Sequence, residues 1–361
     1  MLWKKKSPAM LFTLAVALSS ATAYAIPNKP IYNSSLVTIP DLRPGFEFSI
    51  TGLALKPGAS NLNYVIFNKE LPAQSPTWTE NEIQPNYGGA FELGARYIFP
   101  QGSDVNLTWT HLYSSTSATT VAPNASFFLG PDFEIGPAAL PIRQAVGNAQ
   151  FKYDVANLDV GQYVNFGRHI SLRFFGGLST AFLREQVKTT YSGTVITGAF
   201  PGPFSTTQEV TANFSGAGPR FGIDGNVDVG CGFGFLGEAA ASAIIGTSYS
   251  KTAYISSSAE LLALFGQTSN SQFIKDQSVT QVIPGFDAKL GASYKYAFSN
   301  DMFLTIKAGY QAAVYVNAIS QYLPASLVTP MDTGGIFVAT MSHTLSNYSV
   351  QGPFLEATLQ I

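Results

Sequence analysis

From Phe46 to the last residue, apolar and polar side chains alternate with a period of two, and this rhythm constrains the fold more than any other feature. Between Phe286 and Phe298 one face reads Phe286, Ala288, Leu290, Ala292, Tyr294, Tyr296 and Phe298, and the other Asp287, Lys289, Gly291, Ser293, Lys295 and Ala297. The next segment repeats the pattern, with Leu304, Ile306, Ala308, Tyr310, Ala312, Val314 and Val316 set against Thr305, Lys307, Gly309 and Gln311. Earlier examples are Phe91–Phe99, Val105–Trp109, Ile170–Leu178, Phe221–Val229 and Phe46–Ile50. Such alternation turns successive side chains to opposite faces of a β-strand.

A soluble β-sandwich alternates too, so the choice between architectures falls to charge. Only 12% of the residues are charged, where about 25% is usual. Mean hydropathy is +0.14, dispersed in short pieces rather than gathered into a span of roughly 20 apolar residues. Strands with one apolar face and one sparsely charged face suit a wall between lipid and water. Aromatics near strand ends (Tyr97, Phe99, Tyr113, Tyr296, Phe298) fit interfacial girdles. The expected fold is therefore all-β: a transmembrane antiparallel up-and-down β-barrel.

Connections alternate short and long. Short turns are expected near 100–103, 166–169, 228–231 and 299–301, and long Ser/Thr/Asn/Pro-rich loops near 114–148, 188–211, 250–279 and 318–345. Short turns belong to the periplasmic side, which sets the orientation. The run Ser114–Thr120 is expected as exposed, mobile loop. Eleven strands are legible: 45–56, 61–68, 88–99, 103–114, 149–165, 169–187, 212–227, 230–249, 280–298, 302–317 and 347–360. In that scheme the first and the last both run downward, so antiparallel closure needs one more strand, for which Ile31–Ile39 is the available stretch. The prolines that flank it, Pro30 and Pro40, make it a weak edge. The expected count is about twelve, within a range of ten to sixteen. The alternation of Leu355, Ala357, Leu359 and Ile361 carries a membrane strand to the end of the sequence, although barrels of this type usually finish on an aromatic residue.

The N-terminus reads as an export signal. Lys4–Lys6 give a positive start, Met10–Leu18 a short apolar core, and Ala23-Tyr24-Ala25 a small-x-small cleavage pattern, so residues 1–25 are expected to be removed. Residues 26–44 then form an N-terminal segment with the weak first strand, and 45–361 the barrel. Removing three lysines and no acid leaves 17 basic against 22 acidic residues, or −5, which argues against nucleic acid as a partner. A single cysteine, Cys231, excludes an internal disulfide; it is either a bystander or an intermolecular bridge.

Several blocks resemble the Legionella major outer membrane protein family: Gly45–Ile66, Phe91–Tyr113, Lys152–Tyr163, Ile170–Leu183, Phe214–Gly225, Pro284–Tyr296 and Phe303–Asn317. Together they span nearly all of the chain after residue 25. The resemblance implies an integral protein of the Gram-negative outer membrane, exposed at the cell surface, with porin-like properties. It also implies cysteine cross-linking, which here reduces to one intermolecular bridge through Cys231. It supplies no catalytic residues.

No constellation for catalysis, metal or cofactor is legible. His111, His169 and His343 are far apart in sequence, and metal ligation needs a cluster. Gly230-Cys231-Gly232-Phe233-Gly234 lacks the strand–loop–helix setting of a phosphate cradle. The functional candidates are the charges that strand phase turns inward: Glu47, Glu92, Arg96, Asp104, Arg173, Asp224, Asp287, Lys289, Lys295 and Lys307. At the lipid midplane an Arg or Lys would cost about 2–4 kcal/mol. Mixed signs fit either a polar channel wall or a self-paired filling. The expected partners are outer-membrane lipid, small hydrophilic solutes or ions, and further copies of the chain. The expected function is porin-like passage, with surface adhesion or antigen display through the loops, toward host or envelope partners, as the alternative.

Overall fold

The computed structural model describes residues 37–40, 44–69, 77–124, 127–131, 142–195, 202–258, 270–275, 278–298, 302–328 and 337–361. The expected leader, residues 1–25, lies outside them, as does most of 26–44. A two-residue bridge, β1 (Val37–Thr38), comes first, followed by β2 (Gly45–Ala59), β3 (Asn63–Lys69), β4 (Thr77–Glu82) and β5 (Gly88–Ile98). Next are β6 (Ser103–Val121), β7 (Phe128–Pro131), β8 (Ile142–Phe166), β9 (Ile170–Val195) and β10 (Gly202–Gly230). The series ends with β11 (Phe233–Ser258), β12 (Asn270–Lys275), β13 (Val279–Ala297), β14 (Phe303–Val328) and β15 (Phe337–Gln360).

Ten of these close into an antiparallel ring, β2–β5–β6–β8–β9–β10–β11–β13–β14–β15, whose ends join through the β15–β2 ladder. Ten is the lower end of the expected range. The expected twelve differs for two local reasons. Residues 61–68, read as wall, form β3, which pairs with β4 and β7 in a separate three-stranded sheet. From Ile31–Ile39, the described residues include Val37–Thr38, which bridge to Asn165 and Phe166 of β8 without adding a wall strand. With β3 outside the wall, β2 runs up rather than down and the ring closes without an extra strand.

The ring is inside-out relative to a soluble protein. Large apolar residues face outward and are exposed, among them Phe46, Phe48, Ile50, Leu107, Trp109, Leu158, Phe174, Leu178, Phe182, Phe221, Phe235, Leu290 and Leu355. Polar residues of the opposite phase are buried inside, including Thr51, Glu92, Asp104, Asp159, Arg173 and Arg220. So extensive an apolar surface requires a covering, and hydrocarbon supplies it. Rings gather near the short turns, as girdles require: Phe46 lies 4.8 Å from Tyr97, Tyr97 4.9 Å from Phe99, and Tyr296 5.0 Å from Phe298.

Strand length departs furthest from expectation. Crossing a membrane takes about 9–11 residues, yet β10 has 29 and β9 has 26. On β9 the outward face is apolar from Ile170 to Phe182, save for Thr180 bonded to the Ala156 carbonyl, and then turns to Arg184, Gln186 and Lys188. The wall therefore continues well beyond the lipid. Most of the expected long loops are strand: Ser114–Thr120 belongs to β6, and the span 188–211 includes the upper ends of β9 and β10. In β6 the inward Ser114 and Thr116 are buried and the outward Ser115 and Ser117 are exposed, so the same period of two continues in polar residues.

The short turns fall where expected, although 299–301 lies outside the described residues. Between β10 and β11, Cys231 (φ +54°) and Gly232 (φ +84°) form a two-residue hairpin tip. Positive φ at both positions matches the twist of the flanking strands. The glycine-rich run is thus a hairpin turn.

Candidate functional site

Inward phase brings nearly all the expected charges into one lumenal network. Arg173, from β9, donates through Nε and Nη2 to both carboxylate oxygens of Asp104 on β6, each at 2.6 Å, and through Nη1 to Asp224 of β10 at 2.8 Å. Asp104 stands opposite Gly161 in the β6–β8 ladder, and a Cβ on Gly161 would run into the Arg173 guanidinium. The missing side chain is what admits the bidentate pair.

Arg220, from β10, donates to Asp159 Oδ2 at 2.6 Å, Asp287 Oδ2 at 2.7 Å and Glu238 Oε1 at 3.1 Å. The ring of Phe175 lies between the two arginines, with each guanidinium carbon 4.8 Å from its centroid. Both cations meet the negative face of the same π-system, which adds attraction and fixes their planes. Lys289 donates to Glu92 at 2.8 Å, Thr110 holds the other oxygen of Glu92 at 2.7 Å, and Lys307 donates to Glu356 at 2.7 Å. Arg96 lies 3.5 Å from Glu47 and donates to the Tyr163 hydroxyl at 2.8 Å. Lys295 sits 4.3 Å above the Phe303 ring.

These groups surround a cavity of about 570 Å³, which reaches the lower strand ends at Asp228, Gly232, Phe233 and Lys295. Nine of the ten expected residues line it, while Asp104 lies behind Arg173 and is fully buried. Sequence reading missed Asp159, Asp228, Glu238, Glu356 and Arg220. All five follow the inward phase, which could have found them, but Gly216, Gly218 and Pro219 obscure the rhythm before Arg220, and the Ala/Gly-rich stretch after Gly237 obscures it around Glu238. With them, the five expected carboxylates become nine and the five expected cations six. The lumen is therefore negative on balance.

Above the cavity the lumen is filled. Tyr153, Tyr315 and Tyr348 form a buried layer, with 3.4 Å between the Tyr153 and Tyr315 hydroxyls. Higher still, Leu55, Leu112, Phe151, Leu183, Phe214 and Ile244 of the wall pack with Leu62, Tyr64, Val65, Ile83 and Leu129 of the β3–β4–β7 sheet and its flanks. Among the described residues this cap shares no backbone ladder with the ring. Side-chain bonds fasten it instead: Tyr64 to Thr120 at 2.6 Å, Ser60 to Ser346 at 3.1 Å, and Asn61 to Glu185 at 2.7 Å. Glu185 also accepts from Gln321 at 3.0 Å. It lies above Phe182, beyond the apolar band, and burial there pushes its carboxyl up to about 7 against the pull of those two donors.

The histidines stay apart. His111 is on the outer wall, with Nδ1 2.6 Å from Asp154, and His343 bonds Ser320 at 2.9 Å and stacks on Tyr322. His169 sits at the short turn, its carbonyl accepting from Asp228.

A ring with lipid-facing apolar residues outside and a paired polar network inside defines an outer-membrane β-barrel protein. Residues 38–361 match the family described as Legionella pneumophila major outer membrane protein precursor, and the chain belongs to that family. This is a family of outer-membrane proteins and not of enzymes. Among solved structures, the chain is similar to the outer membrane protease OmpT from Escherichia coli, at 8% identity, 88% of this chain, 98% of that one and a TM-score of 0.37. A Pseudomonas aeruginosa FadL homologue matches at 9% identity, 88% and 90% coverage and a TM-score of 0.24. The CymD monoaromatic hydrocarbon channel matches at 9%, 88% and 88%, with a TM-score of 0.27. No curated protein matches the chain.

Proposed function

We propose that the barrel passes small hydrophilic solutes and ions, porin-like, through a lumen shut at its outer mouth in the conformation described. The observation that carries this reading is the relation of cap to cavity. A charged cavity opens toward the lower end, and the outer end is stopped by a sheet with no ladder to the wall. A stopper held by side chains can leave while the ring stays closed. The tyrosine layer below it is the second barrier, and its hydroxyls offer polar contacts to a passing solute. The excess of carboxylates favours cations. In this reading residues 1–25 are the removed leader, 26–44 the segment that precedes the barrel and 45–361 the barrel itself.

Planar-bilayer recording tests it. Replacing Leu62–Ile83 by a short Gly/Ser linker is expected to give sustained, cation-selective conductance, against brief openings for the intact chain. A cap-less barrel that is folded, as shown by its heat-dependent gel shift, yet electrically silent, overturns the proposal.

The length of the wall favours a second reading, in which the part above the lipid displays binding surface to host or envelope partners. Exchanging residues 196–201 or 259–269 for Gly/Ser would abolish binding to host cells. Cutting the wider span 188–211 would sever β9 and β10 and confound the result. Unchanged binding after both exchanges counts against display through the loops.

A further inference from the structure

The outer wall carries a feature that the lumen does not explain. On β8 and β9 the outward side chains are apolar through Leu158, Ala156, Leu178 and Phe182, and polar immediately above. At that step Lys152 and Arg184 stand directly opposite one another in the β8–β9 ladder, both exposed. Like charges in directly opposed positions destabilise a sheet, because their Cβ atoms lie only about 4.5–5.5 Å apart. Compensation from the protein is partial. Asp154 reaches Lys152 at 3.3 Å through Oδ2 while its Oδ1 holds His111 at 2.6 Å. Arg184 donates to the neutral Gln186 at 3.2 Å. Farther up, Lys188 stands opposite Glu209, whose carboxylate accepts from Gln186 at 2.7 Å.

Below the pair is an apolar floor. Trp109 and Phe182 are exposed toward hydrocarbon, and Tyr113, opposite Lys152 on β6, is exposed beside it. Two cations at the upper edge of the lipid-facing band, on a chain whose formal net charge is −2, stand where headgroups replace acyl chains.

We propose that the outer face of β6–β8–β9 is a binding site for a phosphorylated glycolipid of the outer leaflet. Lys152 and Arg184 clamp one phosphate between them, and Trp109 and Phe182 pack along the acyl chains. The phosphate turns the repulsion of the pair into two charge-assisted contacts. Tyr113 closes the site from β6. The site depends on the membrane orientation of the barrel and not on solute passage.

The test uses the mature full-length protein refolded in zwitterionic detergent and titrated with a diphosphorylated glucosamine-based glycolipid or its dephosphorylated form, with binding read by native mass spectrometry. The wild type should bind the phosphorylated lipid, and Lys152→Ser/Arg184→Ser should bind it about thirtyfold more weakly. Arg168→Ser, which removes an exposed cation at the short turn between β8 and β9, should bind as the wild type does. Without lipid the double variant should melt no lower than the wild type, since it loses a repulsion. Should it fail to fold, Arg184→Gln alone, at a side chain whose contact is another glutamine, gives the same comparison with a smaller expected loss. Equal binding of the dephosphorylated lipid, an unchanged affinity in the folded variant, or an equal loss in Arg168→Ser overturns the proposal.

Discussion

The Arg173–Asp104 pair offers the most direct measure of how the lumen holds together. Arg173 is 2% exposed and Asp104 0%, and the pair makes two parallel bonds of 2.6 Å. Arg173→Met would keep volume but leave the Asp104 carboxylate buried without its cation, a change that costs about 3–5 kcal/mol in comparable settings. Asp224 loses a partner too, but at roughly a quarter exposed it can turn to water, so its share is smaller. Asp104→Asn in the Arg173→Met background removes the stranded charge and should recover about 1–3 kcal/mol, so the two substitutions are strongly non-additive. Urea unfolding in fluid phospholipid vesicles, followed through Trp109 on the outer wall, gives the four free energies of the cycle. If the double variant equals the sum of the singles within about 0.5 kcal/mol, the pair is not the coupled unit described. If Arg173→Met costs less than about 1 kcal/mol, burial has been misjudged.

Other consequences are as specific. The Glu185 carboxyl at about 7, against an ordinary value near 4.5, keeps its proton in the folded protein after the unfolded chain has lost its own. Stability from this group is therefore full below about pH 4.5, falls as pH rises to about 7, and is level beyond, a total loss of roughly 3 kcal/mol. Glu185→Gln should flatten that slope, and an unaltered difference between unfolding at pH 4.5 and pH 8 counts against it. Gly161→Ala should destabilise by about 1–3 kcal/mol through collision with Arg173, and Arg173→Met should relieve most of this. Cys231, exposed at the hairpin tip between β10 and β11, should give a dimer band on non-reducing gels of envelopes, absent in Cys231→Ser. A band that survives the substitution rules out that bridge.

Period two made the ten wall strands legible, since lipid and lumen impose opposite demands on successive residues. By phase it turns the charges from Glu47 to Lys307 inward, and nine of the ten line the described cavity. It failed where the outside of the wall is water. Above the lipid both faces of β6 are polar, so Ser114–Thr120 has the composition of a loop although it is strand. Residues 61–68 alternate as wall strands do, but their apolar face meets the barrel interior, and one segment cannot distinguish hydrocarbon outside from apolar packing inside. The partners of each charge were beyond reach for another reason. Register and closure decide that Arg220 of β10 meets Asp159 of β8 and Asp287 of β13, and neither can be read from spacing.

The continuation of β8, β9, β10 and β11 past the lipid changes what an antibody or a receptor would meet at the cell surface. The accessible chemistry there is a woven one: every second residue of one strand, flanked by residues from the strands on either side, as Lys188 is by Asn148 and Glu209. Short linear peptides copied from this region would present both faces of a strand at once and reproduce neither neighbour. Recognition of the upper wall should therefore vanish on boiling and should resist competition by such peptides.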